Sequence, residues 1–378
     1  MMASRSTLGE VAEFINGAAF KPDDWNEAGQ PIIRIQNLTD PSKPFNRTTR
    51  TVASKYHVDP GDLLVSWSAT LGVFEWNRPE TGLLNQHIFR VLPDPKKIRK
   101  DYLRHMLHDA LFEMERHMHG ATMKHVNRGE FLATTIPLPP LAEQKRIAGI
   151  LDAADALRAK RRESIAQLDS LLQSTFDELF VAKGEFSSVS LEEVTNRITD
   201  GTHLTPTFLG AGVPFIFVKN IRNGKIDFTT DKFISDQEHE CLFRRCPVEP
   251  GDVLYTSVGA TYGQAALIGN FTKFGFQRHV AHLKPDHSKI LPQFLGTVMQ
   301  LPLVKNQADR WARGAAQPTI NLKELREFRI PLPPLPLQRR FATIVESVER
   351  QKTRQRAHLS ELDALFAVLQ HRAFRGEL

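Results

Sequence analysis

Two nearly identical stretches decide how this sequence folds: "IPLPPLAEQKRIAGIL" occupies Ile136–Leu151, and "IPLPPLPLQRRFATIV" occupies Ile330–Val345, 194 residues later. Each begins with Ile-Pro-Leu-Pro-Pro-Leu, which we call the proline connector. Proline fixes its own φ angle, lacks an amide donor and pushes the preceding residue towards extended conformations, so this segment is neither helical nor the middle of a sheet. We expect a stiff extended connector that leads into a helix in both places.

The repeat extends through the whole chain. The matching pairs are "QPIIRIQNL" from Gln30 with "VPFIFVKNI" from Val213, "PGDLLVSWSATLG" from Pro60 with "PGDVLYTSVGATYG" from Pro250, and "GATMKHVN" from Gly120 with "GAAQPTIN" from Gly314. The offset drifts only from 183 to 194 residues, as two copies with short loop insertions would give. Alternating apolar stretches bounded by Gly, Pro and Asn predict strands in each copy.

After each connector, apolar residues recur at three- and four-residue spacing, which is typical of a helix that packs on another helix. They are Ile147, Ile150, Leu151, Ala154, Leu157, Ile165, Leu168, Leu171, Leu172 and Leu179 in the first copy, and Ile344, Val345, Val348, Leu359, Leu362, Leu365, Phe366 and Leu369 in the second. Basic runs from Arg158 and Arg350 interrupt both patterns, and such a run in a helix is usually a solvated face. The predicted fold is α+β (mixed α/β): globular domains at 1–140 and 184–334, separated by long antiparallel, coiled-coil-like helices at 141–183 and 335–378.

Composition limits the class of protein. A chain of 378 residues, 41% of them hydrophobic, is long enough for two ordinary domains. Two cysteines and no apolar run of membrane-spanning or signal-peptide type favour a cytoplasmic protein in a reducing compartment. The net charge of +6 favours polyanionic partners only mildly, since 49 Lys and Arg oppose 43 Asp and Glu.

Motifs for catalysis are absent from the sequence. It contains no G-x-x-x-x-G-K-[ST] phosphate loop, no G-x-G-x-x-G and no H-E-x-x-H. "LPPL" from Leu138 resembles a motif of amino-methyltransferases, but it lacks both the acid or amide that holds the target amine and the aromatic that stacks on the base. We therefore expect no catalytic centre in this chain.

One set of residues has some likeness to a zinc site. Cys241 and Cys246 are followed by His279 and His282, but the histidine gap is shorter than usual and the first copy has no counterpart. We favour a buried cysteine pair with surface histidines, and we expect no metal.

If the ligand is DNA, base edges are read by Arg, Lys, Asn, Gln, Ser and Thr, and aromatic side chains pack on sugars or methyl groups. The candidates in the first copy are Gln36, Asn37, Arg47, Arg50, Ser66, Trp67, Ser68, Asn85, Gln86, His87, Lys124 and His125. Those in the second copy are His203, Lys219, Asn220, Arg222, Asn223, Lys225, Thr256, Ser257, Gln277, Arg278, Arg313 and Gln317. Polar residues lie on loops in every globular protein, so we expect only part of this set to contact DNA.

The two copies differ mainly in their loops. "RTTRTVASKYHV" before Pro60 has no likeness to "ISDQEHECLFRRC" before Pro250, whereas the connectors and strands match. Similar frames with dissimilar loops suit two unlike targets, because a reader of palindromes needs equal halves.

With these features, the chain resembles the specificity subunits of type I restriction-modification enzymes over essentially its full length. The likeness rests on "DGTHLTPTF" from Asp200, on "GAAQPTINLKELREFRIPLPPL" from Gly314 and on the twin connectors that lead into long helices. The first copy departs from this pattern: "GATMKHVN" replaces the segment with the Gln-Pro pair, and the Gly-Thr-His stretch is missing.

The resemblance implies two target recognition domains, each reading half of a split asymmetric DNA site, with the helices fixing the unread spacer. It also implies partners: two methyltransferase subunits that use S-adenosylmethionine, and restriction subunits that use ATP and Mg. The chain itself would be a non-catalytic reader without a cofactor or a membrane contact. Partner docking is expected along the helices and their proline entries, at Gln144, Arg146, Ile150, Gln338, Arg340 and Ile344.

Two other interpretations stay open from sequence. One is a DNA reader that acts alone or with a related single-methyltransferase system. The other is a scaffold of two β-rich domains on a coiled coil, which would show no salt-dependent affinity for DNA.

Overall fold

The computed structural model describes residues 4–117, 127–182, 185–244, 246–269, 273–312 and 318–378. The chain divides into two compact units, which we call unit 1 (Met1–Arg162 with His358–Leu378) and unit 2 (Glu163–Ala357). Each unit contains one copy of the globular repeat and a part of each long helix.

Unit 1 has two four-stranded sheets. Its strands are β1 (Ser4–Thr7), β2 (Ala12–Asn16), β3 (Gln30–Ile33), β4 (Arg47–Thr48), β5 (His57–Val58), β6 (Leu63–Ser66), β7 (Gly72–Glu75), β8 (Gly82–Leu84), β9 (Ile88–Pro93) and β10 (Thr135–Leu138). Its helices are α1 (Leu8–Val11), α2 (Ile35–Thr39), α3 (Lys100–His117), α4 (Arg128–Leu132) and the first part of α5 (Leu141–Phe176). One sheet is antiparallel with the order β2-β9-β6-β7; the other has the order β4-β3-β8-β5, in which β3 and β8 are parallel.

Unit 2 repeats this plan. Its strands are β11 (Ser188–Ser190), β12 (Thr195–Asp200), β13 (Val213–Ile216), β14 (Ile221–Arg222), β15 (Lys225–Ile226), β16 (Phe233–Ile234), β17 (Val253–Thr256), β18 (Ala265–Leu267), β19 (Gly275–Phe276), β20 (Val280–Pro285) and β21 (Arg329–Pro331). Its helices are α6 (Leu191–Val194), α7 (Asp236–Phe243), α8 (Pro292–Val298), α9 (Pro302–Trp311), α10 (Leu322–Arg326) and the first part of α11 (Leu335–Arg375). The order β12-β20-β17-β18 and the parallel pair β13–β19 match unit 1, so the predicted repeat of the mixed α/β fold is confirmed.

The helix that covers the antiparallel sheet differs between the units because of proline. In unit 1, α3 runs unbroken and buries Leu103, Met106 and Leu107, which lie on one face of the helix. The corresponding stretch of unit 2 is divided into α8 and α9, which have Pro292 and Pro302 in their first turns. Proline is tolerated there because the first helical N–H groups have no partner in the helix.

Both proline connectors are extended, as predicted. Their first residues form an edge strand: Ile136 in β10 pairs with Ser6 in β1, and Ile330 in β21 pairs with Val189 in β11. The long helices begin soon after, at Leu141 and Leu335. The strand that begins each globule and the strand that ends it are therefore hydrogen-bonded neighbours.

A buried glutamine ties each globule to the helix that follows it. In unit 1, Gln144 Oε1 accepts a hydrogen bond from the Arg99 amide at 2.8 Å, and Nε2 donates to the Lys97 and Pro139 carbonyls at 2.9 and 2.8 Å. In unit 2, Gln338 repeats the arrangement with the Leu291 amide at 2.8 Å and the Lys289 and Pro333 carbonyls at 3.0 and 2.8 Å. We call Gln144 and Gln338 the glutamine anchors. Both are 1% exposed or less, so they are not available to a partner subunit, which differs from the docking role that the sequence suggested.

Removing one glutamine anchor is expected to destabilise its unit. In Gln338→Leu, three main-chain groups lose their partner, at a cost of about 1–3 kcal/mol for each buried group left unpaired. Urea unfolding of the full chain measures the effect. Arg340→Gln, at an exposed position of the same helix, is the control and is expected to change the free energy of unfolding by less than about 0.5 kcal/mol. Equal midpoints for the two variants would contradict the anchor role.

Within each unit, the two helix segments run antiparallel and are joined by an ion pair at equivalent positions. In unit 1, Arg158 contacts Asp155 on its own helix at 2.8 Å and Asp363 on the other at 2.6 Å. In unit 2, Lys352 contacts Glu349 at 2.5 Å and Asp169 at 2.7 Å. We call these two sets the helix triads; the three positions of one correspond to those of the other at the 194-residue offset.

The predicted apolar pattern of the helices is only partly buried. Ile147, Leu151, Leu172 and Val348 lie in the cores, whereas Leu157, Leu171 and Leu365 are 52%, 51% and 48% exposed. Spacing alone thus predicted the helices correctly but placed too many of their leucines in a packed face.

Candidate nucleic-acid interface

Loops of unit 1 meet at one edge, at the carboxyl ends of the parallel strands β3 and β8. The turn Asn85–His87 follows β8, and its first amide donates to the Ile33 carbonyl. Gly17 lies against this turn so closely that a Cβ there would be 2.2 Å from the Asn85 carbonyl oxygen. On the other side, the Trp67 amide donates to the His87 carbonyl. Three segments that are distant in sequence therefore converge at this turn.

A cavity of about 250 Å³ lies beside the turn Asn85–His87. It is lined by Phe20, Trp25, Ile32, Arg34, Ile35, Gln36, Asn85, Gln86 and His87, which we call the unit 1 edge. The structure thus brings together four of the predicted residues, Gln36, Asn85, Gln86 and His87. Sequence reasoning missed the aromatic and guanidinium groups beside them.

Cation–π contacts order two arginine side chains, Arg34 in the unit 1 edge and Arg50 beside it. The Arg34 guanidinium lies 5.3 Å from the ring centre of Trp25, which is 38% exposed. The Arg50 guanidinium lies 5.7 Å from the Phe20 ring and 3.1 Å from Asp24. Planar rings and guanidinium groups held in this way are ready to stack on sugars and bases at little cost in side-chain entropy.

Unit 2 forms an equivalent edge from Gly201–His203, Ser257 and Gln277–His279, which we call the unit 2 edge. The Gln277 amide donates to the Ile216 carbonyl, and the Ser257 amide donates to the His279 carbonyl. A Cβ on Gly201 would be 2.3 Å from the Phe276 carbonyl oxygen, so this glycine repeats the close approach made by Gly17. The structure therefore identifies a counterpart of Gly-Thr-His in the first copy, which sequence comparison had missed.

The unit 2 edge carries imidazole and guanidinium groups in place of the indole and phenyl rings of the unit 1 edge. His203 is exposed and its Nε2 lies 2.8 Å from Asp200, while the Arg278 Nε donates to His279 Nε2 at 3.3 Å. Burial, together with the charges of Arg278 and His203, lowers the pKa of His279. Lys219 is exposed and occupies the position that Gln36 holds in unit 1.

Several predicted residues instead hold the loops in place. Asn37 Oδ1 accepts from the Arg34 amide at 3.2 Å, and its Nδ2 donates to the Lys43 and Pro44 carbonyls. Asn220 makes the same three contacts with Phe217, Asp227 and Thr229. Both amides are buried and fully hydrogen-bonded, so they are not available to base edges.

Hydroxyl groups at the ends of β6 and β17 are committed in the same way. Ser66 Oγ donates to the Thr70 carbonyl at 2.6 Å, Thr256 Oγ1 to the Thr261 carbonyl at 2.7 Å, and Ser257 Oγ to the His279 carbonyl at 3.1 Å. All three residues are buried. Their role is to shape the turns of the two edges.

The remaining candidates lie at other places. Arg47 pairs with Glu80 at 3.3 Å, and Trp67 stacks on Phe89 with ring centres 5.6 Å apart. Asn223 and Lys225, near Arg222 in the β14–β15 hairpin, line a different cavity of unit 2, of about 920 Å³. Lys124, His125, Arg313 and Gln317 lie outside the described residues.

The cysteines and histidines that resemble a zinc site do not assemble into one. In the part of the chain that the structure describes, no group of three or more His, Cys, Asp or Glu side chains is arranged to hold a metal ion. The expected buried cysteine pair with surface histidines is also wrong, because Cys241 is exposed and His282 is 1% exposed. His282 is buried because its ring nitrogens bind Asp252 and Cys246.

The other predicted docking residues lie on the surface of the long helices. Arg146 is exposed, pairs with Glu143 and donates to the Leu378 carbonyl at 2.7 Å. Arg340 is exposed, and Ile150 and Ile344 are half-buried. No helix among the described residues is long and apolar enough to cross a bilayer.

Comparison with known protein families shows which family this chain belongs to. Residues 4–168 and 207–362, most of the chain, match the model of the type I restriction modification DNA specificity domain. The chain belongs to this family. Type I specificity subunits are non-catalytic DNA-recognition subunits, so this chain is one too, and the non-DNA scaffold is not favoured.

Relatives and solved structures agree with this membership. The type I restriction enzyme EcoBI specificity subunit of Escherichia coli is 26% identical, with 99% of this chain and 86% of that protein aligned. The MjaVIII specificity subunit of Methanocaldococcus jannaschii is 25% identical over 90% of this chain and 85% of that protein. A solved chain from a study of type I R-M complex assembly has a TM-score of 0.55 at 21% identity, covering 100% of this chain and 98% of that one. The S subunit from M. genitalium has a TM-score of 0.50 at 17% identity, covering 98% and 96%, and both structures show the same fold.

Proposed function

We propose that this specificity subunit reads a split, asymmetric DNA site, one half with the unit 1 edge and the other with the unit 2 edge. The observation that carries this proposal is that equivalent turns present unlike side chains. Trp25, Gln36 and Gln86 give unit 1 an indole and amide surface, whereas His203 and Arg278 give unit 2 an imidazole and guanidinium surface. Equal frames with unequal chemistry suit two different half-sites.

The residue types suggest how each edge reads DNA. The amides of Gln36 and Gln86 have the paired donor and acceptor that adenine presents in the major groove. Arg278 and Lys219 suit guanine, whose O6 and N7 both accept hydrogen bonds. We propose that these four residues contact DNA, together with His87, Arg50, His203 and Gln277. Trp25 and Arg34, which the sequence did not suggest, are also proposed as contact residues.

We propose that partner subunits dock on equivalent helix positions. Arg146 and Ile150 correspond to Arg340 and Ile344 at the 194-residue offset, so two copies of one methyltransferase subunit would find similar surfaces. Those subunits would bring S-adenosylmethionine, and restriction subunits would bring ATP and Mg, while this chain binds no cofactor. We place the complex in the cytoplasm.

We further propose that the reading domains comprise residues 1–140 and 184–334, and that 141–183 and 335–378 act as spacer helices. The helix starts at Leu141 and Leu335 support these limits. The spacer length of the DNA site would then follow from the helices rather than from the loops.

The test is a map of N6-methyladenine in a methylation-free host that expresses this chain with its neighbouring methyltransferase subunit. The methyltransferase alone is the control. We expect a new motif of two unlike half-sites separated by unread bases. A soluble complex that methylates no new motif, or a palindromic one, would contradict the proposal.

A further inference from the structure

Both units place an acid at the turn before the central strand of the antiparallel sheet. Asp62 Oδ2 accepts from the Asp59 amide and Asp252 Oδ2 from the Glu249 amide, each at 2.8 Å. In unit 1 the neighbouring strand supplies a permanent cation, since Arg90 Nε lies 2.7 Å from Asp62.

At the equivalent place in unit 2, the partner of Asp252 is a histidine. His282 Nε2 lies 2.7 Å from Asp252 Oδ2, and the two residues are 1% and 4% exposed. Unlike arginine, an imidazole is a cation only when protonated, and its second nitrogen is available to another group.

The second nitrogen of His282 meets a thiol. Its Nδ1 lies 3.5 Å from Cys246 Sγ, while Phe276 packs edge-on against the imidazole with centroids 5.8 Å apart. Cys246 as a residue is half-buried. The first copy has no counterpart, because both cysteines of the chain lie in unit 2.

Charges around the sulfur favour its ionised form. Burial opposes ionisation of Cys246, but the hydrogen bond from His282 and the charges of His282, Arg197 and Lys284 outweigh it, so the pKa of the thiol is lowered. For His282, burial is outweighed by Asp252 and Cys246, so its pKa is raised.

The acid completes the same pattern. Burial of Asp252 is outweighed by hydrogen bonds from His282, Lys284 and the Glu249 amide, so the pKa of this carboxyl is lowered. Lys284 Nζ also lies 2.8 Å from the Glu249 carboxylate, which therefore faces the cluster as well. The three side chains therefore form a hydrogen-bonded row, in which His282 lies between the sulfur of Cys246 and the carboxylate of Asp252.

We propose that Cys246 is a modification site, at which the Cys246–His282–Asp252 row makes the thiol reactive towards hydroperoxides. The sulfur lone pair attacks the terminal peroxide oxygen and the O–O bond breaks. Sulfur is oxidised by two electrons and the peroxide is reduced; with hydrogen peroxide, the departing hydroxide takes the Nδ1 proton of His282. The products are a Cys246 sulfenic acid, a neutral imidazole and water.

The test uses the full chain and needs no mutation for its first result. Hydrogen peroxide is added between pH 5.5 and 9, sulfenic acid is trapped with dimedone, and mass spectrometry quantifies Cys246 and Cys241 in the same molecule. At pH 6.5 we expect Cys246 to react at least about fivefold faster than the exposed Cys241, because only Cys246 has an imidazole beside its sulfur that can stabilise the thiolate form. A Cys246 rate equal to or below that of Cys241 at this pH overturns the proposal.

Two variants assign the effect to the row. His282→Gln keeps a donor towards Asp252 but removes the imidazolium, so the reactivity of Cys246 is expected to rise only at higher pH. Cys241→Ser is the matched control and leaves the Cys246 rate unchanged. A His282→Gln profile identical to that of the unmodified sequence overturns the role of histidine. If that variant does not fold, the pH profile of the unmodified chain still decides the reactivity.

Discussion

Replacing residues 190–325 by the corresponding segment of another type I specificity subunit is expected to change one half-site completely and leave the other half-site unaltered. The reason is that unit 2 contains its own edge, from Gly201–His203 to Gln277–His279, built on its own sheets. Methylation maps of the exchanged and original subunits, each with the same methyltransferase, measure the outcome.

The matched control exchanges the corresponding segment of unit 1 for that of another subunit of the same family. It is expected to change the opposite half-site and leave the first one unaltered. Changes in both half-sites after either exchange would show that the two edges do not read independently.

Lengthening both long helices by four residues, at Ala166 and at Ser360, is expected to lengthen the unread spacer by about two base pairs while both half-sites stay the same. Four helical residues add about 6 Å, and base pairs are stacked at about 3.4 Å. Both helices must be lengthened together because of the two helix triads. Arg158 and Asp169 on one helix are 11 residues apart, and their partners Asp363 and Lys352 on the other helix are also 11 residues apart. Equal insertions keep these spacings equal.

Insertion into only one helix is the control. One helix triad must then lose a partner, and we expect the free energy of unfolding to fall by about 1 kcal/mol, because the carboxylates of these ion pairs are half exposed and screened by solvent. Methylation maps give the spacer and urea unfolding gives the stability. An unchanged spacer in the doubly lengthened protein would contradict the proposal that the helices set it.

The architecture could be predicted because short stretches of sequence determine it. The proline connectors at Ile136 and Ile330 mark two equal boundaries, and the apolar spacing after them predicts the helices. Gln36, Asn85, Gln86 and His87 could be suspected because they lie next to predicted strand ends, where loops converge.

The rest depends on contacts that no short segment contains. Trp25 and Arg34 belong to the unit 1 edge only because the loop after Gly17 returns to the turn at Asn85. Gln144 and Gln338 are in the first helical turns, where polar side chains are usually exposed, and their burial requires main-chain groups some 45 residues away. The burial of His282 could not be predicted for the same reason: its partner Asp252 lies in the turn before β17, 30 residues earlier in the sequence.

The glutamine anchors have a consequence for how such a protein can diversify. Gln144 and Gln338 bind only main-chain amides and carbonyls, so this part of the joint does not depend on the side chains of the loops that it holds. Mutation can therefore rewrite the loops without weakening the attachment to the helices. A lineage that keeps one glutamine per copy can change its DNA target sequences while the helix surface for its partner subunits stays the same.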